Sequence, residues 1–340
     1  MSFTLFADAR LALARDSLAG LSTGDALGER YAPPATAVVP GDDVPGAWAG
    51  PSATAVVPGD DVPGAWAGPS GVADPGAGSL PPAPWSWTDD TEMACSVVAE
   101  LAAAGAIDRD RLALAFAERC DARRGYGAGA MLTLRLIRSG TPWPVAAASA
   151  FDGQGSCGNG AAMRVGPLGA YFADSTARAA AQARASAEVT HAHPEGIAGA
   201  VAVAVAAALA ARARLDGHRP APARLLAGVA AVVDAGTQVH RGVHTAIGLL
   251  GRPLSRVVAA LGNGARVTAQ DTVAFTLWVA ATHLDDYPTA IRTCVRAGGD
   301  VDTTAAIAGA VVAAYTGVGT PGGVPDAWLA AREPLPAWLP

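Results

Sequence analysis

The sequence contains no lysine: all 24 of its basic residues are arginines, set against 30 acidic residues for a formal net charge of -6. That absence excludes a Walker-type phosphate loop, whose lysine must reach the β- and γ-phosphates. No basic run stands out among the arginines either, which argues against general binding to a nucleic-acid backbone. Charged residues make up only 16% of the chain and aromatic residues 6%. Cysteine is scarce, and Cys95, Cys120, Cys157 and Cys294 include no close pair of the zinc or redox type. They are expected to be free thiols of a reducing cytoplasm. A long apolar run near the start is missing too. Asp8, Arg10, Arg15 and Asp16 interrupt that segment, so no signal peptide is expected. The best candidate for a membrane span, Gly196 to Ala211, is mostly alanine and valine, contains Gly199 and is followed by Arg212 and Arg214. It falls short of the roughly 20 strongly apolar residues a span requires. It reads as a buried core helix, and no membrane association is expected.

What the chain has in abundance is alanine. Hydrophobic residues are 51% of its 340 positions, and alanine is the strongest helix former. A chain of this length can bury a core without disulfides or a structural metal. The spacing of apolar residues predicts helices over 3–23, 88–104, 108–119, 127–138, 175–189, 195–215, 221–235, 240–250, 254–261, 270–282, 286–296 and 302–317. Strand-like alternation is rare. Gly24-Asp25-Ala26-Leu27-Gly28 is expected to interrupt or end the first helix. Residues 33–84 shift to Pro, Gly, Ala and Asp, and within them residues 35–52 are repeated letter for letter as 53–70. Two copies do not make a solenoid, which needs about three or more repeats. Added loop length is tolerated at about 0.6 kcal/mol per doubling, so this segment is expected to be a long, partly mobile flap. Residues 318–340 read as an irregular tail packed on the body. The expectation is an all-α protein: one compact, orthogonal helical domain over 1–340, with the flap inserted near its N-terminus.

Five segments carry candidate chemistry. In Trp87-Thr88-Asp89-Asp90-Thr91-Glu92, threonine and aspartate before an apolar helix are ordinary capping residues. The same residues offer hard oxygen donors suited to Mg²⁺, Mn²⁺ or Ca²⁺. In Gly298-Gly299-Asp300-Val301-Asp302-Thr303-Thr304, the glycines permit a tight turn and two aspartates can converge on one cation. The apolar run from Ala305 to Tyr315 makes the following helix a buried one. Crowded carboxylates repel, by about 4 kcal/mol per pair at 4 Å and an effective dielectric of 20, and divalent cations would remove that cost. The third segment, Phe151-Asp152-Gly153-Gln154-Gly155-Ser156-Cys157-Gly158-Asn159-Gly160-Ala161-Ala162-Met163-Arg164, is rich enough in glycine to turn backbone N–H groups toward an anion, or to be a plain loop. It is not a G-x-S-x-G nucleophile elbow. Thr190-His191-Ala192-His193-Pro194-Glu195-Gly196 offers a histidine for a metal, a substrate or a helix cap, and Arg123-Arg124-Gly125-Tyr126-Gly127 offers arginines for a phosphate or a solvated helix end. His240 and His244 have helical spacing, but Arg241 stands where a zincin requires glutamate.

Taken in order, these segments and the early GDALG at 24–28 resemble the ADP-ribosylglycohydrolase family, from about residue 9 to residue 317. The third and fifth segments are most similar to the branch that removes O-linked ADP-ribose and trims its polymers. The resemblance implies an all-helical metal-dependent hydrolase with two divalent cations, Mg²⁺ first and Mn²⁺ as the alternative. By position, Thr88, Asp89, Asp90, Asp300, Asp302 and Thr303 would be the metal ligands. Gly155, Ser156, Gly158, Asn159 and Gly160 would cradle the diphosphate and adjacent ribose, Phe151 would lie by the adenine, His191 would contact the substrate and Gly127 would sit near the terminal ribose. Three departures stand out. Ala32 occupies a position where many members carry a flap glutamate, with Glu29 nearby on another face; Cys157 replaces a frequent aromatic; Val301 replaces a polar residue.

The function expected is hydrolysis at the anomeric carbon of the terminal ribose of ADP-ribose, with Asp89 and Asp90 handling the proton. ADP-ribose or an ADP-ribosylated protein is the expected partner, and a cytoplasmic monomer the expected form. Two rival readings use the same scaffold: a catalytically silent ADP-ribose-binding or structural protein, and a hydrolase of free O-acyl-ADP-ribose.

Overall fold

The computed structural model describes residues 4–32 and 80–340. The expected flap over 33–84, with its duplication, lies almost wholly outside the described residues. Fifteen α-helices are present among the described residues. They are α1 (Ala7–Glu29), α2 (Asp89–Ala104), α3 (Arg109–Arg119), α4 (Ala128–Arg138), α5 (Trp143–Ser149), α6 (Gly166–Tyr171), α7 (Thr176–Glu188) and α8 (Pro194–Leu215). These are followed by α9 (Pro222–Ala230), α10 (Gln238–Gly248), α11 (Leu254–Leu261), α12 (Ala269–Thr282), α13 (Tyr287–Ala297), α14 (Val301–Thr316) and α15 (Asp326–Ala331). No strand occurs among them, only isolated bridges such as Gly158 with Thr268 and Trp85 with Arg332. The all-α expectation therefore holds.

The most extensive helix pairing is α1 against α14, and glycine is the reason. Gly20, Gly24 and Gly28 repeat every fourth residue, so they lie on one face of α1. A methyl group on Gly20 would overlap Ala313 Cβ, one on Gly24 would overlap the Ala305 carbonyl oxygen, and one on Gly28 would stand 2.7 Å from Asp302 Cα. Backbone meets backbone along the whole contact. This corrects the expectation that Gly24–Gly28 breaks the first helix: α1 runs unbroken to Glu29. Each helical glycine costs about 1 kcal/mol in propensity relative to alanine, and close packing against α14 outweighs it.

The Ala/Val-rich α8 is long and apolar enough to cross a membrane by length and composition, but 89% of its apolar window is buried inside the fold. It is the core helix the sequence suggested, packed against α6, α7 and α14. All four cysteines are free thiols. The region 318–340 is less irregular than expected. It contains α15, and its last stretch runs beside the segment entering α2: Glu333 N–H donates to the Trp85 carbonyl at 2.9 Å and Trp87 Nε1 donates to the Pro334 carbonyl at 3.2 Å.

Candidate active site

The α1–α14 pair sets the position of two helix N-termini. Thr88 is the N-cap of α2, with Asp89 and Asp90 in its first turn, and Asp300 is the N-cap of α14, with Asp302 and Thr303 in its first turn. The positive ends of both helices favour negative charge there. Thr303 Oγ1 lies 3.4 Å from Asp90 Oδ2, across the gap between the two helices. The capping alternative is true of Thr88, whose hydroxyl accepts from the Asp90 N–H at 3.4 Å. It does not describe Asp300, which sits at an N-cap without capping. Its Oδ2 instead accepts from Asn159 Nδ2 at 2.7 Å.

A residue the motif reading passed over completes this side. Asp25, fully buried on α1, accepts from the Thr88 N–H at 3.0 Å, the Thr88 hydroxyl at 2.9 Å and the Thr91 N–H at 3.2 Å. Burial, and secondarily the charge of Asp302, lifts its carboxyl to about 7 even though these hydrogen bonds pull the other way. Burial and neighbouring carboxylates also hold Asp89, Asp90 and Asp300 well above the usual carboxylate range. Glu29, the last residue of α1, is raised to about 7 by desolvation and by the charge of Asp302, so it too faces this cluster. Ala32 supplies no carboxylate. Asp90 Oδ1 is buried without a hydrogen-bond partner. Among the described residues no three Asp, Glu, His or Cys side chains close into a finished metal cage. The carboxylates are neighbours, and their hard oxygens, mutual repulsion and one orphaned atom suit a divalent cation.

The opposite side is built from loops. Gly127 is the exposed N-cap of α4. The loop after α5 folds back so that the Phe151 ring lies 3.6 Å from where a methyl on Gly129 would stand. Phe151 and Asp152 both adopt left-handed backbone, with φ of 53° and 55°, a conformation non-glycine residues seldom hold without a reason. Gly155 is packed so tightly on the 190s loop that a methyl there would come within 2.7 Å of Ala192 Cβ. Ser156 Oγ accepts from the Gly158 N–H at 3.1 Å, and Asn159 and Gly160 lie in a short 3-10 turn, Asn159–Ala161. His191 flanks that turn, with its Nε2 3.5 Å from where a methyl on Gly158 would project. The Asn159 to Asp300 hydrogen bond thus joins the glycine loop directly to the acidic cluster.

Thr88, Asp90 and Thr303 are linked by contacts of 3.4 Å or less, as are Asp300 and Asn159; Asp89 and Asp302 lie within charge range of them, and His191 flanks Gly158 and Gly160. Phe151 is placed beside Gly129, and His240, His244, Arg123 and Arg124 lie elsewhere or are engaged otherwise. His240 and His244 stack edge to face on α10, 4.6 Å between ring centroids. Arg123 is bound to Asp121 at 2.7 Å, and Arg124 pairs with Glu333 at 2.5 Å while lying over the Trp87 ring. Both guanidiniums are taken up by protein carboxylates, so the phosphate reading of that pair gains no support. The RRGYG turn nevertheless belongs to the site: a methyl on Gly125 would stand 3.8 Å from Asp89 Oδ1, and Tyr126 donates to buried Glu92 at 2.8 Å. Nothing local in the sequence links Glu92 to Tyr126; only helix packing brings them together.

Comparison with known proteins agrees with this architecture. A family model described as ADP-ribosylglycohydrolase matches residues 7–339. The chain is 42% identical over 97 residues to ADP-ribosylhydrolase ARH3 of Bos taurus, and 40% identical over 97 residues to that of Homo sapiens. Each of these matches spans 27% of this chain and 27% of the relative. A solved structure described as an ADP-ribosylglycohydrolase-related protein complex shares the fold, with a TM-score of 0.58, 24% identity, and coverage of 96% of this chain and 93% of that one. The chain therefore belongs to the ADP-ribosylglycohydrolase family, a family of glycosidic-bond hydrolases.

Proposed function

We propose that this chain hydrolyses the bond at the anomeric carbon of the terminal ribose in ADP-ribose conjugates. The observation that carries the reading is the hydrogen bond from Asn159 Nδ2 to Asp300 Oδ2 at 2.7 Å, which sets a glycine-rich anion loop against a crowded carboxylate cluster. Thr88, Asp89, Asp90, Asp300, Asp302 and Thr303 would hold two divalent cations, Mg²⁺ first and Mn²⁺ as the alternative, whose charge would act on the ribose hydroxyls and the attacking water. Ser156, Gly158, Asn159 and Gly160 would receive the diphosphate and its ribose on their backbone N–H groups. Phe151, partly exposed beside the loop, would present its ring to the adenine. Gly127, with nothing within 4 Å of a methyl placed on it, leaves room for the terminal ribose.

Water adds to the anomeric carbon as the bond to the leaving group breaks. The proton released by water passes to a carboxylate and then to the leaving group. Asp89 and Asp90 suit that transfer by position, in the first turn of α2, where burial and neighbouring carboxylates raise the proton affinity of each. ADP-ribose release should be measured from arginine-linked, serine-linked, polymeric and O-acetylated ADP-ribose, with and without Mg²⁺ or Mn²⁺. Cation-dependent turnover of at least one substrate is expected, lost in Asp302→Ala. Tight ADP-ribose binding with no turnover of any of them would leave a silent binding protein instead.

A further inference from the structure

Arg164 ends the GNGAAMR segment and is fully buried; among the described residues it makes no ion pair within 4 Å, and the charge of Asp89 reaches it from farther off. Its guanidinium lies 4.5 Å over the Phe116 ring. Nη2 donates to the Ser186 carbonyl at 2.6 Å and to Thr190 Oγ1 at 2.9 Å, and Nη1 approaches Met93 Sδ at 3.6 Å. A buried cation with no counter-ion in contact is expensive, and the proposed chemistry does not use it directly. Thr190 Oγ1 has one other polar neighbour within hydrogen-bond reach, His191 Nδ1 at 2.8 Å.

These contacts fix the proton positions. Arginine can only donate, so the Thr190 oxygen is an acceptor toward Arg164. The positive charge turns the hydroxyl hydrogen away, and the sole acceptor left for it is His191 Nδ1. Were Nδ1 to carry a hydrogen instead, the Thr190 hydroxyl proton would be buried with nothing to receive it, at roughly 1–3 kcal/mol. The ring hydrogen therefore sits on Nε2. That nitrogen faces the glycine loop, 3.5 Å from where a methyl on Gly158 would stand and 3.6 Å from the corresponding point on Gly160.

We infer that Arg164 and Thr190 are positioning residues that hold His191 as a neutral imidazole, with its Nε2–H donated to an anionic oxygen over the Gly158–Gly160 loop. Burial, reinforced by the Arg164 charge, keeps the ring from protonating until about 3, so it stays neutral throughout the physiological range. His191 then orients the ligand's oxygen and supplies no proton to the reaction. The ligand side of this inference rests on the proposed reading of the loop; the tautomer does not.

The test is nitrogen NMR of the full-length protein labelled with ¹⁵N-histidine, with His191 assigned among the 6 histidines by its change in Thr190→Val. His191 should show an unprotonated Nδ1 and a protonated Nε2, unchanged from pH 8 to pH 5. A protonated Nδ1, or an imidazolium within that range, overturns the inference. By calorimetry, Thr190→Val should bind ADP-ribose about tenfold more weakly, the value of one net hydrogen bond, and Thr190→Ser should restore binding to within about twofold. Unchanged affinity in Thr190→Val would overturn the positioning role. A wild-type protein that binds no ADP-ribose would sink the proposed function, while the nitrogen spectrum would still decide the tautomer.

Discussion

The helix ends that carry Thr88–Asp90 and Asp300–Thr303 rest on backbone-to-backbone packing of α1 and α14, whereas the loop of Phe151–Gly160 begins with the exposed left-handed residues Phe151, Asp152 and Gly153. One half of the cleft is set by the core and cannot move without it. The other half is tied to the body by loop contacts: Gly155 on Ala192, Asn159 on Asp300 and Thr272, and backbone hydrogen bonds from the Asn159 N–H to the Val267 carbonyl and from the Ala269 N–H to the Cys157 carbonyl. Carboxylates that repel one another need a rigid frame to stay together. A surface that must wrap a flexible nucleotide needs exposed backbone more than rigidity. Substitutions should therefore divide: stability losses in the α1–α14 frame, activity losses at the carboxylates it carries, and binding losses on the loop side.

The largest effect is expected at Asp302. Asp302→Ala should lower ADP-ribose release by at least about 10²-fold, the scale of losing a main electrostatic contributor. It should also leave the cation-free protein at least as thermostable as the wild type, because Asp302 raises the proton affinity of Asp25, Asp89, Asp90 and Asp300. Lowered stability together with full activity would contradict the role given to Asp302.

pH should separate the halves next. Asp25 is fully buried, and its folded-state value of about 7 stands above the ordinary 3.8, so the folded state holds a proton that the unfolded chain has released. Stability of the cation-free protein should thus fall as pH rises from about 4 to 7, by at most about 4 kcal/mol from this group. Asp25→Asn should reduce that slope in urea midpoints measured across the window. A wild-type midpoint that climbs through the same window would contradict the account.

Glycine gives the sharpest internal contrast. Gly24→Ala forces α1 off the Ala305 carbonyl and should lose about 1–3 kcal/mol, typical of overpacking. Gly127→Ala meets open space and should stay within about 0.5 kcal/mol by thermal melting. The smallest effect on stability is expected at Phe151, which is 40% exposed. Phe151→Ala should leave melting unchanged and weaken ADP-ribose binding about tenfold, the value of one base–aromatic stack. A loss of folding in that variant would show the loop to be part of the core.

Legibility in the sequence follows the same division. Periodicity located α2, α8 and α14 to within a residue or two, since each is long and largely apolar past its first turn. It missed α5 and α6, which have only 7 and 6 residues and too little length to show a period. It also ended α1 early, because glycine reads locally as a breaker and the helix that repays it lies nearly three hundred residues away. The adjacent aspartates of each acidic segment were visible as motifs. The contribution of Asp25, the nearness of Glu29 to Asp302, the Glu92 to Tyr126 bond and the Arg164–Thr190–His191 relay were not. Each depends on which helices meet, and no short window of residues encodes that.

The central claim, that the two acidic helix starts form one cation site, is tested most directly by calorimetric titration of Mg²⁺ or Mn²⁺ into cation-free protein at pH 7, in two buffers of different ionisation enthalpy. The account predicts saturable binding with protons released to the buffer, since burial and mutual repulsion raise the proton affinity of Asp89, Asp90 and Asp300 and a bound cation lowers it. Asp90→Asn and Asp302→Asn should each abolish or strongly weaken it. Binding that is undiminished in both variants, or absent from the wild type, would contradict the account.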